Sequence, residues 1–176
     1  MNQKLNRELL LAVIVGIVLF ISDFTIGWLT ALSARIPVIF IMAVIIGIIA
    51  GKHTDGLFAT GLTWIISIPL GMLITPLAYP QYVSQNTTLF GLFLFVPIWT
   101  LRGTFNFQLE GNVIEVFVAG LVLLVVLIIV APAIYVASLL FGLLGGSIGQ
   151  VLRGFLHRES QLSDEGSDDR MDVISP

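Results

Sequence analysis

Asp23 is the residue whose type and placement most directly invite chemistry. It stands inside a long apolar run, and an ionisable group there is by default an ion site, a proton relay or a substrate contact. It shares a helical face with Ala12, Gly16 and Gly27, so it points at protein rather than lipid. The competing reading is a carboxyl kept neutral by burial, or a cap paired with Arg35 near the outer helix end. A second constellation is a stripe at helical spacing: Thr60, Thr63, Ser67, Gly71 and Thr75. Such a face either packs, returning hydrogen bonds to its own helix, or lines a cavity in which Thr63 and Ser67 join Asp23 as ligand or ion contacts.

Other chemistries lack their residues. The chain has no Cys, which removes disulfides, thiolate nucleophiles and Cys-ligated metals. Paired-carboxylate catalysis needs two acids in one site, whereas Asp23 and Glu115 are predicted near opposite membrane faces. Glu115, at the start of a span, reads as an interfacial acid at a helix N-terminus. Serine hydrolysis needs a base, yet His53 and His157 each lie beside a basic residue at a helix end. Metal-dependent transfer from diphosphates needs clustered carboxylates, and none occur. Lys52-His53-Thr54-Asp55-Gly56 reads as a tight turn with Thr54 or Asp55 capping the next helix. Asn86-Thr87-Thr88 matches the glycosylation triplet and falls on a predicted outer loop. The expectation is a non-enzymatic protein with no cofactor, no metal and no nucleic-acid partner.

The elements that must hold these residues are membrane helices. Of the 176 residues 57% are apolar and 11% charged, and mean hydropathy is +1.02. Between Leu9 and Leu152 the only Lys or Arg are Arg35, Lys52 and Arg102. A soluble domain must present charge at its surface, whereas a bilayer-embedded one must hide it. Continuous apolar runs also exclude a β-barrel, whose strands alternate. The fold class is therefore an all-α polytopic transmembrane bundle over residues 1–158, a multi-pass cell-membrane protein with the lipid bilayer as its solvent. Six spans are predicted, at about 9–29, 36–51, 56–77, 88–101, 113–130 and 133–152; four or five remain open. Residues 88–101 are short for a crossing and can be re-entrant. The last two spans are separated at Ala131-Pro132 by a hairpin, since one helix through both would be about 60 Å long. The first span inserts because fourteen Leu, Ile, Val or Phe residues outweigh Asp23. Lys4, Arg7, Lys52, Arg102, Arg153 and Arg158 then lie inside with both termini, and only Arg35 outside. Trp28, Tyr79 and Tyr82 mark the outer interface and Trp99 the inner one. Residues 159–176, rich in Asp and Glu, form a disordered tail.

Packing signals are four-spaced small residues. Gly142, Gly145, Gly146 and Gly149 form overlapping G-x-x-x-G pairs in the last span, Gly47 and Gly51 another, and Ala12 and Gly16 a third. Small residues at this spacing let helix backbones approach, either within one chain or at a homo-oligomer seam.

Two resemblances are carried by these segments. GIIAGKHTDGLFATG between two spans and a closing GLLGGSIGQVLR resemble small glycine-rich archaeal membrane proteins of uncharacterised function, over about half the chain. That resemblance implies membrane residence and no defined activity. The size and six-span plan also resemble the substrate-binding membrane subunit of energy-coupling-factor transporters. By that resemblance Ala12 and Gly16 dock on a membrane partner subunit, and an outward pocket near Asp23 binds a small solute. No vitamin-contact motif of that family is present. The expected role is packing or assembling in the membrane, with solute binding for a transporter as the alternative.

Overall fold

The computed structural model describes residues 3–33, 35–83, 87–102 and 120–168. Its helices are α1 (Gln3–Ile26), α2 (Trp28–Leu32), α3 (Val38–Ala50), α4 (His53–Ala78), α5 (Leu89–Thr100) and α6 (Ala131–Asp168). A 3-10 turn at Pro80–Tyr82 follows α4. The described residues are all-helical, without strands, and three helical stretches are long and apolar enough to cross a membrane: Arg7–Ile26, His53–Ala78 and Gly120–Leu156. α3 and α5 are shorter apolar helices.

The predicted first span is two elements. Gly27, at φ +76°, ends α1 in the left-handed conformation that a side chain disfavours, and its N–H bonds the Asp23 carbonyl at 2.7 Å. Gly51 ends α3 the same way, at φ +74°. Lys52 stands at the cap of α4 with no side-chain cap bond, so neither Thr54 nor Asp55 plays the capping part expected of it. α4 runs through both Pro69 and Pro76.

The hairpin expected at Ala131-Pro132 is absent. Residues 120–125 are helical, Val126–Val130 form a π-helical turn, and α6 continues without a break. The Ala131 N–H reaches the Val126 carbonyl, five residues back. A proline in a regular helix clashes with the carbonyl four residues earlier; the wider π turn just before Pro132 accommodates the ring without ending the helix. The backbone also stays helical to Asp168, where a disordered tail was expected from Glu159 onward.

α1 and α4 run parallel, with Gly16 against Thr63 and Phe24 against Tyr79. α3 and α6 run the other way: Ile46 meets Gly16, Tyr135 meets Trp64 and Gly146 meets Lys52 and His53. α5 ends where α4 ends, since Val96 packs on Gly71 and Trp99 lies 4.4 Å from the Tyr79 ring. Helices joined in sequence whose C-terminal ends meet are not a simple antiparallel hairpin; the chain between them doubles back. Arg102 and Trp99, expected at the face opposite Tyr79, therefore stand at the same end of the bundle as Tyr79. Of the predicted fifth span, residues 113–119 with Glu115 lie outside the described residues, as does Asn86.

The tightest contact joins α6 to α3 and the start of α4 through backbone. A Cβ on Gly47 would sit 2.7 Å from the Gly146 nitrogen, and one on Gly142 2.9 Å from the Gly56 carbonyl oxygen. At Gly145 and Gly149 it would lie 3.0 Å from the Cα atoms of Val44 and Ile48, and at Gly146 2.8 Å from that of His53. At each of these positions backbone atoms block the way, joined at Gly142 by the Thr60 side chain, so even a methyl group must push helices apart. Gly47→Ala, Gly142→Ala and Gly146→Ala should each lower thermal stability in detergent by about 1–3 kcal/mol. Gly120→Ala and Gly154→Ala, whose added Cβ meets nothing within 4 Å, should be neutral or slightly stabilising. Equal effects at both sets of positions would contradict this packing.

Candidate functional site

The polar groups at the Tyr79 end of the bundle are organised by the last turn of α1. A helix terminus leaves carbonyls without intrahelical partners, and lipid offers no water to take them up. Here Tyr79 and Trp99 do so, and Arg102 adds a second bond to a carbonyl that Gly27 already serves. The Phe24 carbonyl accepts from the Tyr79 hydroxyl and, at 3.2 Å, from Trp99 Nε1. Tyr79 also reaches the Thr25 carbonyl at 3.3 Å. Arg102 Nη2 donates to the Asp23 carbonyl at 3.2 Å and Nη1 to the Trp99 carbonyl at 3.0 Å. A cation at this position also matches the negative end of the helix dipole.

Asp23 is 2% exposed and holds α2 onto α1. The Thr30 N–H donates to Oδ1 and the Thr30 hydroxyl to Oδ2, each at 2.7 Å. The carboxylate thus satisfies orphan donors in the first turn of α2. Its partner is Thr30; the partners expected from sequence, Arg35 and the α4 hydroxyls, do not take that part. Arg102 approaches only the main-chain oxygen of Asp23. Burial lowers the Arg102 pKa from its ordinary value, while the nearby Tyr79 and Asp23 oppose the shift. A guanidinium lowered from there is still charged at neutral pH.

Thr63 and Ser67 belong to a different place. Thr60, Thr63, Ser67 and Thr75 are all 0% exposed, so the stripe is interior. Thr60, Thr63 and Thr75 donate to the carbonyls of Gly56, Ala59 and Gly71 at 2.7–2.8 Å, back into their own helix. Ser67 Oγ has no partner, and neither has Asp55 Oδ2 at the base of α4. Thr63 packs against Gly16, which lies two turns before Asp23, about 10 Å along α1. Asp23, Thr63 and Ser67 are therefore not gathered around one ligand position.

Ala12 is fully buried, and Gly16 faces Ile46 and Thr63. Both lie inside the chain, unavailable for the docking that the transporter resemblance implies. Gly47, Gly142, Gly145, Gly146 and Gly149 line the α3–α4–α6 contact, and Gly51 carries the Arg153 guanidinium. Arg153 closes the opposite end of the bundle by pairing with Glu8 and donating to the Ile49 carbonyl. Sequence reasoning missed Tyr79, Trp99 and Arg102 as donors to α1. The available signal was a Trp and an Arg three residues apart, directly after an apolar helix too short to cross.

Among the described residues no group of three His, Cys, Asp or Glu side chains could hold a metal ion. Comparison with protein-family models, curated proteins and solved structures finds no match to this chain.

The Asp23–Thr30 contact sets a stability prediction. Asp23→Ala leaves the Thr30 N–H unpaired in a buried turn and should cost about 1–3 kcal/mol. Asp23→Asn keeps an acceptor for that N–H and an amide able to donate to the hydroxyl, so it should cost less than half as much. Thermal melts in detergent measure both. Equal losses would show that the charge itself, rather than the cap geometry, is what α2 requires.

Proposed function

We propose that the chain is a multi-pass integral membrane protein of the cell membrane whose role is to pack and assemble there, with no catalytic activity. The observation that carries the membrane reading is the inversion of its surface. Glycines and hydroxyls share the interior with a core that includes Phe20, Phe24, Ile39 and Ile46, while Leu11, Val18, Ile65, Leu73, Leu77 and Leu140 stand 56–84% exposed along the three long helices. A surface of that kind is stable against hydrocarbon rather than water.

Four crossings are proposed, by α1, α3, α4 and the long helix ending in α6, with α5 inserted part-way from the outer side. Both termini then share one side. The orientation follows from Lys4, Arg7, Lys52, Arg153 and Arg158 at one end against Arg35 and Arg102 at the other. The interior supports packing over transport: the hydroxyls of Thr60, Thr63 and Thr75 are spent on their own helix, and the stripe is closed over by neighbouring side chains.

Because the natural chain has no Cys, single-cysteine labelling tests both parts. An impermeant maleimide added to intact cells should modify Gln81→Cys and Asn106→Cys, and Ser160→Cys only after permeabilisation. Six crossings would instead protect Asn106→Cys until permeabilisation. Ser67→Cys should resist small charged thiol reagents in the folded protein. Rapid modification there would reveal an aqueous path and favour the solute-binding reading.

A further inference from the structure

Arg102 has more bonding capacity than the fold consumes. A guanidinium carries five N–H donors, and the carbonyls of Trp99 and Asp23 occupy one on each Nη. Among the described residues no acceptor takes Nε–H or the second hydrogen of either Nη. Asp23, the acid among the described residues that faces Arg102, has both carboxylate oxygens engaged by Thr30. Among the described residues the only ion pair is Arg153 with Glu8, at the opposite end of the bundle. Arg102 is therefore a half-buried cation without a carboxylate partner there.

It is also held in place. One face of the guanidinium lies over the Trp99 ring, 4.4 Å from its centroid. Trp99 in turn stacks on Phe95 at 5.3 Å and is flanked by Tyr82 at 5.6 Å. Gly27 leaves the space the group fills, since a Cβ there would come within 2.6 Å of Nη2. The surroundings are those of an interface, with Trp28 40% and Tyr82 58% exposed at the same end of the bundle. A charged fork fixed by two carbonyls and an aromatic plane has lost its rotamer freedom before any ligand arrives, which favours bidentate capture of a tetrahedral oxyanion.

We propose that Arg102, seated on Trp99, binds a phosphate group, and that its source is the phosphodiester of a lipid headgroup in the outer leaflet. This rests on the membrane reading above. Its failure alone would leave the labelling pattern intact, whereas failure of that reading would change the labelling itself.

The purified full chain in a neutral detergent is titrated with short-chain phosphatidylglycerol, with the matching diacylglycerol and with inorganic phosphate, following Tm. Phosphatidylglycerol should raise Tm by about 3 °C or more at saturation, and diacylglycerol should not. A rise with inorganic phosphate equal to that with phosphatidylglycerol would overturn the lipid source. Equal rises with phosphatidylglycerol and diacylglycerol would overturn the phosphate site. Arg102→Gln should abolish the phosphate-dependent rise, Arg102→Lys should keep a reduced one, and Lys52→Gln, at the inner end, should keep all of it. Should Arg102→Gln not fold, Trp99→Leu removes the platform and should weaken the response at least several-fold. An undiminished response in both Arg102→Lys and Trp99→Leu would place the phosphate elsewhere and overturn the assignment.

Discussion

The close approach of α6 to the α3–α4 turn is the constraint on which the rest of the bundle depends. Backbone meets backbone there, with Gly47 and Gly56 on one side and Gly142, Gly145 and Gly146 on the other. In lipid no hydrophobic force draws helices together, because the solvent is as apolar as the side chains. Association comes from dispersion contacts, which fall away steeply with distance, so a seam without side chains makes many of them at short range. Once this seam is made, the outer half of α6 follows as a rigid extension. It delivers Ser138 to the Trp64 indole at 2.8 Å and the Tyr135 hydroxyl to Thr100 at 3.0 Å. The position of α5 is thereby tied to a contact made far below it.

At the Tyr79 end of the bundle the governing problem is different. α1, α2, α4 and α5 all terminate or begin there, and each terminus brings main-chain groups that lack intrahelical partners. The fold meets this with side chains instead of water: Asp23 for the donors of α2, and Tyr79, Trp99 and Arg102 for the acceptors of α1. The residues that looked chemically suggestive in sequence thus serve backbone groups. Arg102 retains donors beyond those that the described fold employs while its guanidinium is held in place by Trp99, which is why the ligand inference centres on it.

The helical class and the membrane-length apolar stretches were legible because insertion is a sum over composition, and composition is local. The glycine spacing was legible as a packing signal, but spacing alone could not say whether the partner was α3 or a second chain. What sequence concealed has particular causes. Pro132 reads as a breaker, yet one π turn accommodates it, and the apolar run Val126–Val130 carries no mark of that geometry. Arg102 counts as an inside charge in any tally of Lys and Arg, because such a tally cannot see a guanidinium committed to a helix terminus. Asp23 was correctly suspected of needing a polar partner. That partner, Thr30, lies only seven residues away across a chain reversal that Gly27 makes possible, and continuous-helix reasoning hid it.

These features describe a protein whose interior is occupied by its own packing and whose large apolar side chains stand exposed along its long helices. The central claim is that the last helix lies antiparallel along α4 within the same chain. Gly61 and Leu139 face each other across that contact, where a Cβ on Gly61 would lie 3.7 Å from Leu139 Cδ2. Oxidation of a Gly61→Cys/Leu139→Cys double variant, followed by non-reducing electrophoresis, measures the arrangement directly. A cross-linked monomer of altered mobility, with neither single variant forming a dimer, is the predicted result. A covalent dimer from the double variant, or no cross-link at all, would contradict the account.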